Sequence, residues 1–347
     1  MKLAKTHESS LNGHGKAINA ISWNCDGKKL ATGSSDQTAR VWTVDSHKEG
    51  RELVLEDHKE GVEGLSWSPT NSDVLATASS DKIVRLWDIR AKKSFKIDAE
   101  DDVLNVSFSP DGTMLMISDK ACLLAHLSLS ENVRLIDIRS NKNKTLANLS
   151  FDKEYWVNEL VWHGNNCVLM CAGRQKLDSQ EKGEVIRVDA AQETESDRLK
   201  SVHNFVAHTA NCTAIAMDRS GSHFATGAYD GSSCLWDANE IVCLRPACSS
   251  LEEGVGCLSF SHDGQILAGV ADVERPSASS RKLIDLCQVS TGETIMKLET
   301  RSFARKLAWH PTQMLLAFGG EKIVQEQDRY DRNRSEVPVT IVTLQVK

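Results

Sequence analysis

The sequence predicts an all-β fold assembled from copies of one unit, and three observations predict it. A stretch from Gly13 to Val44, GHGKAINAISWNCDGKKLATGSSDQTARVWTV, recurs in recognisable form toward the C-terminus. Its apolar residues alternate with polar ones in short runs separated by turn residues, which is the period of strands. No part of the unit carries a helical period, and seven hairpin-like segments of the same build align along the 347 residues.

Within the unit, Ala17 to Trp23 reads as a first strand and Asp26-Gly27 as a tight turn. Lys29 to Gly33 starts a second strand toward a turn at Asp36, and Thr38 to Val44 reads as a third. Four side chains have a spacing that brings them together: His14 before the first strand, Thr32 on the second, Asp36 in the turn and Trp42 on the third. A buried His donates to an Asp carboxylate, and Thr and the indole N–H extend the network, so each polar group finds a partner. The set recurs as His58, Thr77, Asp81 and Trp87, and again as His208, Thr226, Asp230 and Trp236. His-to-Asp separations are 22, 23 and 22 residues, and Asp-to-Trp is 6 in all three. A frame repeated three times favours a structural network over a catalytic or metal-binding histidine.

The Gly-His, Asp and Trp positions, with Trp87-Asp88 and Trp236-Asp237, resemble the WD-repeat family, whose units form four-stranded propeller blades. A repeat of about 40–45 residues divides the chain into seven or eight blades, and the aligned hairpins settle the count. They start at Trp23, Trp67, Phe108, Trp162, Met217, Phe260 and Trp309. The expected architecture is therefore a single seven-bladed WD-repeat β-propeller over residues 1–347. Its repeat units are expected at 13–45, 57–91, 98–140, 152–190, 203–239, 250–291 and 299–345.

In chain order, residues 2–12 precede the first Gly-His. A propeller needs its last blade closed, because an open edge offers unpaired backbone groups. The last blade's third strand is placed at Pro338 to Leu344, and residues around Lys5 to Leu11 are predicted to pair with it as a closing outer strand, the alternative being a frayed tail. Units one and two are the most regular, joined by a charged, surface-like connector from Asp45 to Glu56. Unit three keeps FSPDG at 108–112, has no histidine at the network position, and carries Ile136-Asp137 where Trp-Asp is expected. It also holds an apolar insertion, Ala121 to Ser130. The insertion reads as a docking surface, a local refolding against the blade, or retained intron sequence. Unit four carries polar expansions at Lys176 to Lys182 and Ala190 to Lys200. Unit six departs after Asp272 with a Pro/Ser loop, and unit seven has a charged loop from Glu321 to Glu336.

Composition narrows the function classes. A net charge of −7 and a pI of about 5.9 do not indicate a general grip on nucleic acid, so any RNA contact is expected to be indirect or weak. The ten cysteines form no CxxC pair, and Cys167, Cys171, Cys212 and Cys234 fall in predicted strands, so buried reduced thiols are expected rather than disulfides. No apolar run approaches the length of a membrane span. Gly13-His14-Gly15-Lys16 lacks the spacing of a phosphate loop, and no HExxH, GxSxG or EF-hand motif occurs. No cofactor, metal, small-molecule substrate or catalytic activity is expected. The loops joining third and fourth strands carry Arg90, Lys92, Lys93 and Lys96 in blade two and Arg139, Lys142 and Lys144 in blade three. Together they read as a positive patch on the rim, either a solvated lysine-rich surface or a site for an acidic or phosphate-bearing partner.

A closer resemblance rests on several segments. These are SWNCDG from Ser22, VNEL from Val157, HTANC from His208 with FATG from Phe224, LSFSHDG from Leu258, LID from Leu283, and AWHP from Ala308 with LLAF from Leu315. Over nearly the whole ring they are similar to the WD-repeat subunits of THO complexes. That resemblance implies a non-catalytic scaffold subunit of a THO/TREX assembly in the nucleus, coupling transcription to messenger-RNA processing and export through protein–protein contacts. The implied neighbours are the large helical scaffold subunit and, through the assembly, a DEAD-box helicase and an RNA-export adaptor. A second resemblance lies in Trp87-Asp88-Ile89-Arg90 and Ile136-Asp137-Ile138-Arg139, which are similar to the WDxR boxes of cullin-RING ubiquitin ligase substrate receptors.

Overall fold

The computed structural model describes residues 1–44, 51–120, 131–139, 144–151, 155–174, 180–190, 200–249, 251, 253–272, 282–321 and 336–347. The insertion at 121–130, most of the loops expected at 176–182, 190–200 and 321–336, the Pro/Ser loop after Asp272, and Lys142 lie outside the described residues. Among the described residues there are 28 strands and no helix. They form seven four-stranded antiparallel sheets, arranged as the blades of a propeller.

Blade one shows how the sequence builds each sheet. β1 (Leu3–His14) precedes it, and β2 (Ile18–Trp23), β3 (Lys29–Ser34), β4 (Ala39–Thr43) and β5 (Glu52–Leu55) follow in order from the axis outward. The connector read as a surface segment from Asp45 to Glu56 therefore supplies the outer strand, through the apolar pair Leu53 and Leu55. Blades two to six likewise take their outer strands from the stretch that leads into the next unit: Lys93–Asp98, Lys144–Phe151, Lys200–His208, Val242–Pro246 and Thr294–Glu299. The second strands are sealed on both faces because each sheet is covered by a neighbour. In β3, β7 (Val74–Ser79) and β19 (His223–Ala228), five of six residues are buried. Their small residues (LATGS, LATAS and FATGA) let adjacent sheets approach.

The a–b turn of blade one requires glycine. Gly27 has φ of +75°, and a Cβ there would collide with the ring of His310 from blade seven. That ring instead binds the Gly27 carbonyl at 3.0 Å, which fastens blade seven to blade one.

Among the described residues there is no single central core. Seven apolar clusters occupy the seven interfaces between adjacent blades. One joins Ala31, Val41 and Leu55 to Val62, Trp67 and Leu75, and another joins Ile18, Trp23 and Trp42 to Val339 and Ile341. The ring closes as the need to cover an open edge predicts. β1 pairs antiparallel with β28 (Val337–Val346), from Leu3 opposite Val346 to His14 opposite Val337. The closing strand is longer than the Lys5–Leu11 segment expected, and it is the outermost strand of blade seven.

Candidate interaction surface

The three histidine networks fix the loops on one face of the ring. In blade one, Trp42 Nε1–H donates to Thr32 Oγ1 at 3.0 Å, and the same oxygen lies 2.7 Å from His14 Nε2. A hydroxyl that accepts from the indole has its own proton left to donate, so it gives that proton to Nε2. His14 then carries its proton on Nδ1 and donates it to Asp36 Oδ2 at 2.9 Å. The Gly15 N–H adds a second bond to that oxygen at 3.0 Å. Blade two repeats these contacts: Trp87 to Thr77 at 2.9 Å, Thr77 to His58 at 2.7 Å, His58 to Asp81 at 2.9 Å. Burial opposes ionisation of Asp36 and Asp81, but the hydrogen bonds they accept outweigh it and hold both carboxyls below the ordinary value. Burial pushes His58 down, against the pull of Asp81.

Blade five departs from the expected set. His208 Nε2 meets Thr226 at 2.7 Å and Trp236 donates to Thr226 at 2.8 Å, but His208 Nδ1 faces Ser232 Oγ at 2.8 Å rather than Asp230. The Ser232 hydroxyl in turn donates to Asp230, which also accepts from Thr209 Oγ1 at 2.9 Å. A relay of one hydroxyl has been inserted into the network. Its signal in the sequence is the Asp-x-Ser spacing, matched in blade one by Asp36-x-Thr38.

These constellations contain the atom types of a hydrolytic triad. The hydroxyl oxygen that would have to attack is engaged by an indole, and the His14 and His58 side chains are fully buried.

The same face opens into a cavity of about 530 Å³ on the axis. All seven innermost strands contribute by one device. Each strand skips a residue in its pairing, and the skipped residues are Asn19, Glu63, Leu104, Asn158, Thr213, Gly256 and Arg305. All seven line the cavity, because the bulge re-aims them toward the axis. Three of them also knit blades together. Asn19 Nδ2 donates to Val62 O at 3.3 Å and Asn158 Nδ2 to Cys212 O at 2.8 Å, and Thr213 Oγ1 donates to Val255 O. In each case the acceptor is the residue just before the next blade's bulge.

Trp156 and Tyr229 supply aromatic lining, and Glu63, Asp272, Arg305 and Lys306 bring charge to the cavity. Lys306 lies 3.7 Å from Glu159, and Glu159 also accepts the Ile215 N–H at 3.0 Å, so blades four, five and seven meet across the channel. Attraction to Glu159 raises the Lys306 ammonium above its ordinary value against the cost of burial. Burial raises the Glu63 carboxyl, with Ser80 and Lys306 pulling the other way. A polar, mixed-charge basin with aromatic sides suits a peptide segment better than an apolar small molecule. Sequence reasoning missed this site. Its trace is the variable middle residue of seven triplets near the start of the innermost strands: INA, VEG, VLN, VNE, CTA, VGC and ARK.

On the rim, Arg90 and Lys92 lie in the turn before β9 (Lys93–Asp98), and Lys93 and Lys96 lie on that strand, all exposed. Between the lysines Phe95 is 51% exposed, an aromatic the expected patch did not include. In the blade-three half of the patch, only the Arg139 side chain lies among the described residues. Arg139 folds back on Asp137 in a bidentate pair, Nε to Oδ1 at 3.0 Å and Nη2 to Oδ2 at 2.5 Å, so its charge is compensated locally. Lys144 begins the outer strand of blade three.

Comparisons with known proteins agree with this geometry. The WD domain, G-beta repeat, matches residues 5–43, 51–88 and 199–237, the segments that contain the three histidine networks. THO complex subunit 3 of Arabidopsis thaliana is 32% identical over 319 residues, covering 91% of this chain and 90% of that protein. WD repeat-containing protein AAC3 of Dictyostelium discoideum is 27% identical over 331 residues, 89% of this chain and 63% of that protein. Among solved structures, the β-propeller domain of Cps50 (Swd1) from Myceliophteria thermophila aligns with a TM-score of 0.72 at 15% identity. It covers 96% of this chain and 99% of that domain, a likeness of fold alone. With seven blades, a strand-paired closure and a likeness that spans the ring, the chain belongs to the THO complex subunit 3 family of WD-repeat proteins.

Proposed function

We propose that this chain is a non-catalytic scaffold subunit of a nuclear THO assembly and serves the coupling of transcription to messenger-RNA processing and export. The observation that carries the reading is the extent of the likeness to THO complex subunit 3, which runs through every blade rather than through the repeat motif alone. The geometry supports it: buried networks and interlocked bulges make a rigid ring, and a rigid ring acts by presenting surfaces. Two such surfaces are the axial cavity, for a polar peptide segment of a helical THO subunit, and the basic rim of blade two, for an acidic stretch of a partner. RNA meets the ring only through its partners.

The ubiquitin-ligase reading asks for a free arginine fork on two successive blades. Arg90 is exposed, whereas Arg139 holds Asp137 of its own strand, which weakens that alternative.

The test is affinity purification of the tagged chain from nuclear extract, with and without nuclease, followed by mass spectrometry. Nuclease-resistant recovery of the large helical THO subunits is expected. Recovery of a cullin adaptor without THO subunits would reverse the assignment.

A further inference from the structure

Blade six keeps the frame of the histidine network and replaces its corners. In blades one, two and five the histidine stands four residues before the innermost strand, and in blade six that place holds Leu251, four before Val255. Register identifies the other corners. Leu30 pairs with Trp42 and Leu75 with Trp87, while in blade six Leu267 pairs with Cys287. Thr32 pairs with Arg40 and Thr77 with Arg85, and the equivalent pair is Gly269 with Asp285. Indole, hydroxyl and imidazole are thus all absent, and an indole exchanged for a thiol leaves space that a close-packed interior must refill.

Cys248 refills it. Its Sγ lies 3.5 Å from Cys287 Sγ and 3.1 Å from where a Cβ on Gly269 would stand. Both thiols are fully buried beside Leu251, Val255 and Leu267. Cys248 reaches this position with φ of +45°, a left-handed conformation that strains the backbone of any residue with a Cβ.

We infer that Cys248 and Cys287 form a site of reversible oxidation, where hydrogen peroxide closes a disulfide that ties the connector between blades five and six to the third strand of blade six. The Cys287 thiolate attacks one peroxide oxygen. The O–O bond breaks, hydroxide leaves and takes up the released proton as water, and Cys287 becomes a sulfenic acid. The Cys248 thiolate then attacks that sulfur, the S–S bond forms, and the departing hydroxide takes up the second proton. In sum, two thiols give up two electrons and two protons, and one peroxide becomes two waters. The order follows from the pair's own hydrogen bond, which lowers Cys287 and, together with burial, raises Cys248. Peroxide enters by local opening of the connector, which has no histidine network to hold it.

The test uses the reduced full-length chain. It is treated with hydrogen peroxide, its remaining thiols are alkylated, and it is digested without reductant for peptide mapping. The exposed Cys243 reports that oxidant was delivered. A Cys248–Cys287 crosslinked peptide is expected, with a thermal midpoint several degrees above the reduced chain, because the bond closes a loop spanning 39 positions. Dithiothreitol should reverse both changes, and Cys248→Ser and Cys287→Ser should each abolish the crosslink. Oxidation of Cys243 without the crosslink, or a crosslink confined to Cys234 and Cys243, overturns the site. A Cys248–Cys287 bond that leaves the midpoint unchanged or lower overturns its stapling role.

Discussion

The Thr77 hydroxyl shows how little freedom one buried atom has in this ring. It accepts from Trp87 and is paired with His58, so removing any corner leaves a buried donor or acceptor unpaired. Asp81→Ala or Trp87→Ala should cost about 2–4 kcal/mol in denaturant unfolding, combining lost side-chain volume with stranded partners. Unchanged melts would contradict the network. In blade five the cost moves to the relay, and Ser232→Ala should destabilise by about 1–3 kcal/mol because it strands His208 Nδ1–H. Acid should weaken the fold in two steps. His58 and His208 are held below their ordinary value by burial, so below about pH 6.5 the unfolded chain binds protons that the folded chain refuses. Their contribution is fully present above that pH and is lost as pH falls toward the folded values. Asp36, Asp81 and Asp230 are also depressed, and their share disappears only below about pH 4. Urea midpoints at about pH 7.5 and about pH 5.5 should differ in the wild type and draw closer when His58 and His208 are replaced by Asn, with His310, also held low by burial, keeping part of the difference. Equal midpoints in the wild type would refute the first step.

At the scale of elements, strands were legible wherever alternation met a turn signal. The hairpins from Trp23, Trp67 and Phe260 needed only local chemistry. The outer strands were not legible as blade members, because Glu52–Leu55 and Val242–Pro246 are short and acquire their role by pairing alone. The bulges escaped notice for the same reason: a skipped residue such as Asn19 exists only relative to a partner strand. Closure was legible because it follows from what a ring must do with its last edge. Deleting residues 2–12 should expose β28 along its length, lower the melting midpoint sharply and produce concentration-dependent association seen by light scattering. A monodisperse truncated chain with an unchanged midpoint would show that β1 is dispensable.

For the molecule as a whole, the sequence revealed the networks more clearly than the faces they support. The cavity joins side chains from seven distant strands, and no local pattern relates Trp156 to Lys306. On the rim, Arg90, Lys92, Lys93 and Lys96 are exposed, and the pairing of Arg139 with Asp137 could not be read by counting charges. Replacing Lys92, Lys93 and Lys96 by Glu should change stability by no more than about 0.5 kcal/mol per substitution, since all three are exposed. The same variant should reduce recovery of THO subunits in affinity purification, and undiminished recovery would remove the rim from the interface. The pairing of β1 with β28 has a further consequence on the ribosome. Thr6 waits for Thr343, 337 positions later, and at typical synthesis rates the first strand emerges on the order of half a minute before its partner. During that interval the nascent chain is an open arc of sheets in which β1 still lacks its partner. Completion of the ring thus waits for β28 to emerge, and a chain cut short before that strand yields an arc with a sticky edge instead of a smaller propeller.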